Sequence, residues 1–155
     1  KATLSKIKEI IKEKKIERLF LESHWAYKNR IKEMRDYFEI PITFKIGVET
    51  FDYDFRNGYL NKNAKFKTVE ELKEYFDSPC IMVGIKGQTR EMIDRDMDIV
   101  LNNFDHATIN VFVNNTSSVK RDEELVNWFS NKYKDLVDNP NIEILFNNTD
   151  FGVGD

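Results

Sequence analysis

Apolar residues recur along the chain with two different periods, and segments of one period alternate with segments of the other. Spacings of three and four residues are typical of one face of a helix. They predict helices near residues 4–13, 27–38, 68–76, 91–104 and 122–137. Short apolar or alternating segments predict strands at 18–23, 42–50, 81–87, 107–115 and 142–148. Because strands that are joined by helices need crossover connections, we expect a largely parallel sheet.

The predicted strands alternate between apolar and polar side chains, so each strand presents one face of each kind. The polar face of the second strand carries Lys45, Gly47 and Glu49, and Glu22 and Lys86 hold similar positions in neighbouring strands. An unpaired buried charge is costly, and a sheet covered by helices on both faces would be apolar throughout. We therefore predict an α/β fold with an open, partial parallel (β/α) barrel whose polar inner face encloses water or a ligand. A solvated sheet face on which Lys45 pairs with Glu49 is the alternative.

The composition adds limits on size, partners and compartment. A chain of 155 residues suits one domain, which we place at residues 1–155. Parallel (β/α) folds normally begin with a strand, so a first strand is expected before the initial helix. A net charge of -3 supplies no field that would attract nucleic acid or an anionic membrane. No apolar run approaches the ~20 residues of a membrane span. Cys80 is expected to be a buried core thiol, and a cytoplasmic location is expected.

Two glycines, Gly84 and Gly87, end the third predicted strand just before a predicted helix. Glycine lets a ligand approach the backbone, and a helix N-terminus favours anions. This turn is a candidate rim of a ligand site, although an ordinary tight turn between a strand and a helix would use the same residues.

Two segments resemble motifs of the radical S-adenosylmethionine enzymes. The sequence IGVETF at 46–51, followed by FR at 55–56 and LNK at 60–62, resembles the strand and loop that this superfamily writes as GVQS or GIES and then LNKG. The sequence VGIKGQT at 83–89 is similar to the GLPGQT turn of its oxygen-independent coproporphyrinogen oxidase branch. The resemblance covers residues 16–104 and implies a partial (β/α) barrel. The small queuine-salvage lyases, which cut the cyclopentenyl substituent from a deazaguanine base, are a branch that the chain resembles in general character.

The resemblance implies two cofactors, S-adenosylmethionine and a [4Fe–4S] cluster. The three-cysteine motif that ligates the cluster is absent from this chain, so its ligands are expected upstream of residue 1, and no residue here is assigned to a metal. A 5′-deoxyadenosyl radical would abstract hydrogen from a small, heterocyclic substrate in the barrel, and a lyase reaction is one outcome. The glycine-rich segment that binds the cofactor's amino group is replaced here by Glu22, Ser23, His24 and Trp25.

The resemblance and the polar face together give the candidate site residues. The candidate catalytic residues are His24, Lys45 and Glu49. The candidate cofactor-binding residues are Glu22, Ser23, Glu49, Thr50, Gly84, Lys86 and Gly87. The candidate substrate-binding residues, whose amides suit a heterocyclic base, are Asn110, Asn114 and Asn147.

Other interpretations of the same residues stay open. His24 is equally well explained as a hydrogen-bonded histidine at a strand end. The aromatic run from Phe51 to Tyr59 is either a lid over the barrel or a small core beneath a long loop. The whole chain is either a radical enzyme or a non-catalytic (β/α) domain that binds S-adenosylmethionine or another nucleotide-like small molecule.

Overall fold

The computed structural model describes residues 2–146 of the chain. Within them, five strands form one sheet in the order β1-β2-β3-β4-β5, so each strand pairs with its neighbours in sequence. Every pairing in this sheet is parallel, as the crossover connections predict. The strands are β1 (Leu19–Glu22), β2 (Ile42–Glu49), β3 (Ser78–Val83), β4 (Ala107–Val111) and β5 (Ile142–Leu145).

Helical segments precede β1 and occupy every connection between neighbouring strands. Three of the α-helices begin where a side chain, from Thr68, Thr89 or Asp122, accepts a hydrogen bond from a free amide of the first turn. None of the helices within residues 2–146 is both long enough and apolar enough to cross a membrane. The α-helices are α1 (Ala2–Lys14), α2 (Ile31–Phe38), α3 (Val69–Lys73), α4 (Arg90–Asn103) and α5 (Glu123–Lys132). The other helical segments are the 3₁₀ segments Trp25–Arg30 and Lys134–Asp138 and the π segment Phe55–Tyr59.

The sheet is curved, and its two faces have different environments. Side chains on the convex face pack under the helices and are buried, as Ile46 and Val48 are in β2. The alternate side chains of β2, on the concave face, remain partly exposed. The Lys45 ammonium lies 3.3 Å from the Glu143 carboxylate of β5, although β3 and β4 separate the two strands in the sheet. This contact requires the sheet to bend, and the predicted open, partial barrel is confirmed.

Several strand boundaries differ from the predicted ones. Strand β3 begins at Ser78, earlier than predicted, and ends before Gly84, whose φ of +86° does not fit an extended strand. Strand β4 ends at Val111, so residues 112–115 belong to the following loop. The pattern of apolar residues continues through this loop because Phe112 is buried, and periodicity alone therefore overextended the strand.

Gly84 lies so close to α5 that no side chain fits there. Its positive φ is rare for other residues, and an added Cβ would lie 2.3 Å from Cγ2 of Val126. We expect Gly84→Ala to lower the free energy of unfolding by about 2–4 kcal/mol. Urea denaturation measures the loss, and adding Val126→Ala should recover part of it. Gly58→Ala is the matched control, because a Cβ at Gly58 would meet no atom within 4 Å; equal midpoints for the two alanine variants would contradict the close packing.

Candidate functional site

A cavity of about 370 Å³ lies on the concave face of the sheet. All five described strands contribute to its wall, and the loops after β2 and β4 complete it. The charged lining residues are Glu22, Lys45, Glu49, Lys62 and Glu143. Its uncharged polar side chains come from Cys80, Thr108, Asn110 and Asn115. Charged groups thus reach the cavity from opposite sides, with amide, hydroxyl and thiol groups between them.

An ion pair between Glu49 and Lys62 forms one side of the cavity. The Lys62 ammonium lies 2.5 Å from Oε1 of Glu49, and the two side chains are only 29% and 15% exposed, respectively. Glu49 has a left-handed backbone conformation with a φ of +66°, and the pairing of β2 with β3 is irregular between Gly47 and Glu49. A non-glycine residue in this conformation is strained, and such strain is concentrated at functional sites.

Gly47 provides the space that this ion pair occupies. A Cβ at Gly47 would lie 2.9 Å from the Lys62 nitrogen and 3.1 Å from Oε1 of Glu49. The glycine of the 46–51 motif is therefore explained by a close approach of side chains inside the barrel, and its own φ is not in the left-handed region.

A second ion pair, between Lys45 and Glu143, crosses the opposite end of the cavity. The Thr108 hydroxyl donates to the same Glu143 oxygen at 3.0 Å. Burial alone would raise the pKa of Glu143, but the Thr108 hydroxyl and the Lys45 ammonium outweigh it, so the pKa lies below its ordinary value. Lys45 therefore pairs across the barrel, and the alternative in which it pairs with Glu49 is wrong.

Cys80 lines the cavity and is not the core residue that its apolar neighbours suggested. It faces the same side of the sheet as Lys45 and Thr108, and burial raises the pKa of its thiol to about 11. The thiol is therefore protonated near neutral pH. Within residues 2–146 no group of three or more His, Cys, Asp and Glu side chains could hold a metal ion. A [4Fe–4S] cluster needs several thiolates, so the described residues do not fit one.

Glu22 lies at the end of β1 and at the edge of the cavity. Among residues 2–146 its carboxylate has no hydrogen-bond or ion-pair partner. The lining therefore contains more carboxylates than ammonium groups, which favours a ligand with positive charge.

The structure places several other predicted site residues outside the cavity wall. Thr50 is fully buried, and its hydroxyl accepts from the Asp52 amide, so its assignment to a ligand is corrected. The amide oxygen of Asn114 accepts from the Arg121 backbone, and the neighbouring Asn115 lines the cavity instead. Asn147 lies outside the described residues. Other predicted residues that do not line the cavity are Ser23, His24, Gly84, Lys86 and Gly87.

The glycine-rich turn after β3 is held by its own side chains. Gln88 accepts from the Ile85 amide and donates to the Met82 carbonyl, which closes the turn internally. Gly87 lies under a stacked pair of rings, because a Cβ there would contact Phe55 and Tyr59 at 3.5 and 3.8 Å. These contacts favour the ordinary strand-to-helix turn over a ligand rim.

The loop after β2 is organised by a buried arginine that sequence reasoning did not assign to any role. The Arg56 guanidinium is 1% exposed and donates to the carbonyl groups of Thr50, Ala64 and Phe66 at 2.6–2.9 Å. Burial lowers the pKa of Arg56 from its ordinary value. Its planar fork reaches the three carbonyl groups from three different nitrogens, whereas a lysine would have to reach all of them from one.

Asp96 of α4 holds the start of the same loop. Its carboxylate accepts from the Phe51 amide at 2.8 Å and bonds to the Thr50 side chain. Burial raises the pKa of Asp96 to about 6. Phe51 itself packs edge-on against Phe66, so part of the aromatic run forms a small core beneath the loop.

Comparisons with known proteins agree with this geometry. A scan of protein-family models and a search of curated proteins found no match. Among solved structures, a queuine lyase from Clostridium spiroforme bound to SAM and queuine has a TM-score of 0.94 and 52% sequence identity. The alignment covers 99% of this chain and 67% of that one. This likeness confirms the resemblance to radical S-adenosylmethionine enzymes and to the queuine-salvage lyases. The chain belongs to the queuine lyase family of radical S-adenosylmethionine enzymes.

Proposed function

We propose that this protein is a queuine lyase, which cuts the cyclopentenyl substituent from a deazaguanine base. The observation that carries the proposal is the TM-score of 0.94, at 52% identity, to a queuine lyase bound to SAM and queuine. The cofactors of the family are S-adenosylmethionine and a [4Fe–4S] cluster, and together they supply the radical chemistry that removes hydrogen from the substrate. The remaining steps belong to the protein, which must bind, orient and shield the two small molecules.

The charges of the cavity support this proposal. S-adenosylmethionine carries a sulfonium, an ammonium and a carboxylate group and is positive overall, and queuine carries an amine between its base and its ring. The carboxylates of Glu22, Glu49 and Glu143 outnumber the ammonium groups of Lys45 and Lys62. Because charges attract more strongly in a partly enclosed site than in bulk water, these carboxylates would favour both cationic ligands.

Individual residues can be given roles on the same basis. We assign Glu22 to the amino group of S-adenosylmethionine, in keeping with the family resemblance. We assign Asn110 to the edge of the base, where paired donors and acceptors match an amide side chain. Lys45 and Glu49 present partly buried charges to the cavity and are our candidates for direct contact with the substrate.

A non-catalytic domain that binds S-adenosylmethionine or another nucleotide-like molecule is the second candidate. The observation that favours it is the chain's single cysteine, Cys80, which cannot ligate a cluster by itself. We therefore assign no step through the cluster to residues 2–146.

The two candidates are separated by one experiment on the natural full-length product, purified without oxygen. For a lyase we expect about four irons per chain, release of 5′-deoxyadenosine and loss of the cyclopentenyl group from queuine. The matched control substrate is the deazaguanine base without that group, which should yield no cleaved product. Binding of S-adenosylmethionine without iron or turnover would reject the lyase and favour the second candidate.

Gly47→Ala should weaken ligand binding with little effect on stability. The new methyl group would push against the flexible end of Lys62 and displace it from Glu49, while the backbone of Gly47 suits alanine. We expect a roughly tenfold higher dissociation constant for S-adenosylmethionine and a change below about 1 kcal/mol in the free energy of unfolding. Calorimetric titration and urea denaturation measure the two quantities. An unchanged dissociation constant would show that the ligand does not depend on this ion pair.

We also propose a small-molecule substrate, no nucleic-acid partner and a cytoplasmic location. The net charge of -3 gives no attraction to a polyanion. A reducing compartment would protect the single thiol of the chain, Cys80, from oxidation.

A further inference from the structure

His24 lies outside the cavity wall but is bonded to a residue that forms part of it. Its Nδ1 accepts from the Ala26 amide at 3.1 Å, and its Nε2 lies 3.0 Å from the carbonyl oxygen of Lys62. A carbonyl group only accepts, so Nε2 carries the proton and donates. Both ring nitrogens are therefore occupied, which argues against the predicted catalytic role of His24.

The backbone around Lys62 is unusually constrained. Asn61 and Asn63 on either side have φ values of +51° and +53°, in the left-handed region. The Lys62 amide donates to the Arg56 carbonyl at 3.0 Å, which fixes the turn from the side of the preceding loop. Two left-handed residues that flank a single lysine persist only where their surroundings hold them in place.

The constrained backbone of Lys62 determines where its ammonium group lies. A lysine side chain is flexible, so its ammonium group is located by its backbone and by its partner. The Lys62 ammonium fits between Glu49 and the bare backbone of Gly47, where even one added carbon would touch it. A small movement of the Lys62 backbone would therefore break the ion pair in the cavity.

We propose that His24 is a positioning residue, which holds the Lys62 backbone so that its ammonium pairs with Glu49 in the cavity. The effect of His24 on ligand binding follows from the proposed function and acts through Lys62. The hydrogen bond from Nε2 links the end of β1 to the loop after β2, so two parts of the cavity wall are fixed relative to each other.

His24→Asn isolates this hydrogen bond. Asparagine is a good N-cap and can still accept from the Ala26 amide, but its shorter side chain cannot reach the Lys62 carbonyl. In the ligand-free full-length protein we expect the amides of Lys62 and Ala64 to exchange hydrogen about five- to tenfold faster in this variant. Thr68→Ala, which removes the N-cap of α3 away from the cavity, should leave exchange at these two amides unchanged. Equal exchange in wild type and His24→Asn overturns the proposal.

A double-mutant cycle tests whether His24 acts through the Lys62 side chain. We expect His24→Asn to raise KM for queuine about fivefold with little change in kcat, and Lys62→Met to raise it more. Adding His24→Asn to Lys62→Met should then cause no further loss, because the ammonium to be positioned is already gone. If the increase in KM of the double variant equalled the product of the two single increases, His24 would act independently of Lys62, and the proposal would be overturned.

The two tests also separate this proposal from the proposed function. A wild-type protein that binds neither S-adenosylmethionine nor queuine would reject the function, and the exchange rates would still decide whether His24 holds Lys62. A wild-type lyase whose exchange rates are unaffected by His24→Asn would keep the function and reject the positioning role.

Discussion

Glu49→Gln is expected to lower kcat/KM for queuine cleavage about 10- to 100-fold, because a charge-assisted hydrogen bond contributes about 1.5–3 kcal/mol. The substitution keeps the size of the side chain but removes the charge that pairs with Lys62 at 2.5 Å. The ammonium group of Lys62, whose side chain is 29% exposed, would then face the ligand without its partner. Steady-state kinetics on protein prepared without oxygen measure the effect.

Glu70→Gln is the matched control for this variant. Glu70 is an exposed residue of α3 and has no contact with the cavity, so its kinetic constants should equal those of the wild type. An equal kcat/KM for Glu49→Gln and the wild type would show that Glu49 has no role in binding or cleaving the substrate.

Arg56→Met should cause the largest loss of stability, about 3–5 kcal/mol in the free energy of unfolding. Methionine fills much of the space but donates nothing, so the carbonyl groups of Thr50, Ala64 and Phe66 would lose their buried donor. The guanidinium also lies 3.7 Å from the centre of the Phe66 ring, and this favourable contact would be lost as well. Urea denaturation gives the change in free energy.

Arg95→Met provides the comparison for a surface arginine. Arg95 is 52% exposed and pairs with Asp52 at 2.8 Å, so its removal should cost less than about 1 kcal/mol. If Arg56→Met were no more destabilising than Arg95→Met, the buried guanidinium would not be what holds the loop after β2.

Strand alternation was sufficient to predict much of the fold and part of the site. A period of two placed Lys45 and Glu49 on one face of β2, and both line the cavity. The same rule places Cys80 and its neighbour Ile81, a core residue, on opposite faces of β3. The pairing of Cys80 with Gly47 of β2 therefore predicts that the cysteine faces the cavity. The apolar flanks of Cys80 predict a core thiol, and this prediction is wrong because the alternation of β3 turns the side chain to the cavity.

The remaining site residues depend on contacts that no local pattern contains. The burial of Thr50 continues the alternation of β2, in which Ile46 and Val48 are also buried, but the left-handed conformation of Glu49 is not visible in that pattern. Lys62 reaches the cavity because Arg56 closes the loop and His24 fixes the turn. These bonds join residues far apart in sequence, and periodicity reports only on neighbours within one element.

The buried carboxyl group of Asp96 connects the acidity of the solution to the stability of the loop after β2. Its folded pKa of about 6 lies above the ordinary value of 3.8, so the folded chain binds this proton more tightly than the unfolded chain does. The stabilising contribution is complete below about pH 4 and is lost as the pH rises through 6.

Asp96→Asn provides the reference that isolates this single titration. The free energy of unfolding of the wild type, minus that of Asp96→Asn, should fall by about 2–3 kcal/mol between pH 4 and pH 7 and stay constant above. Urea denaturation across this range measures it, and a difference that does not vary with pH would mean that Asp96 titrates normally. Mildly acidic solution should therefore favour the folded chain more than alkaline solution does, so the stabilities of variants of this protein can be compared only at one buffer pH.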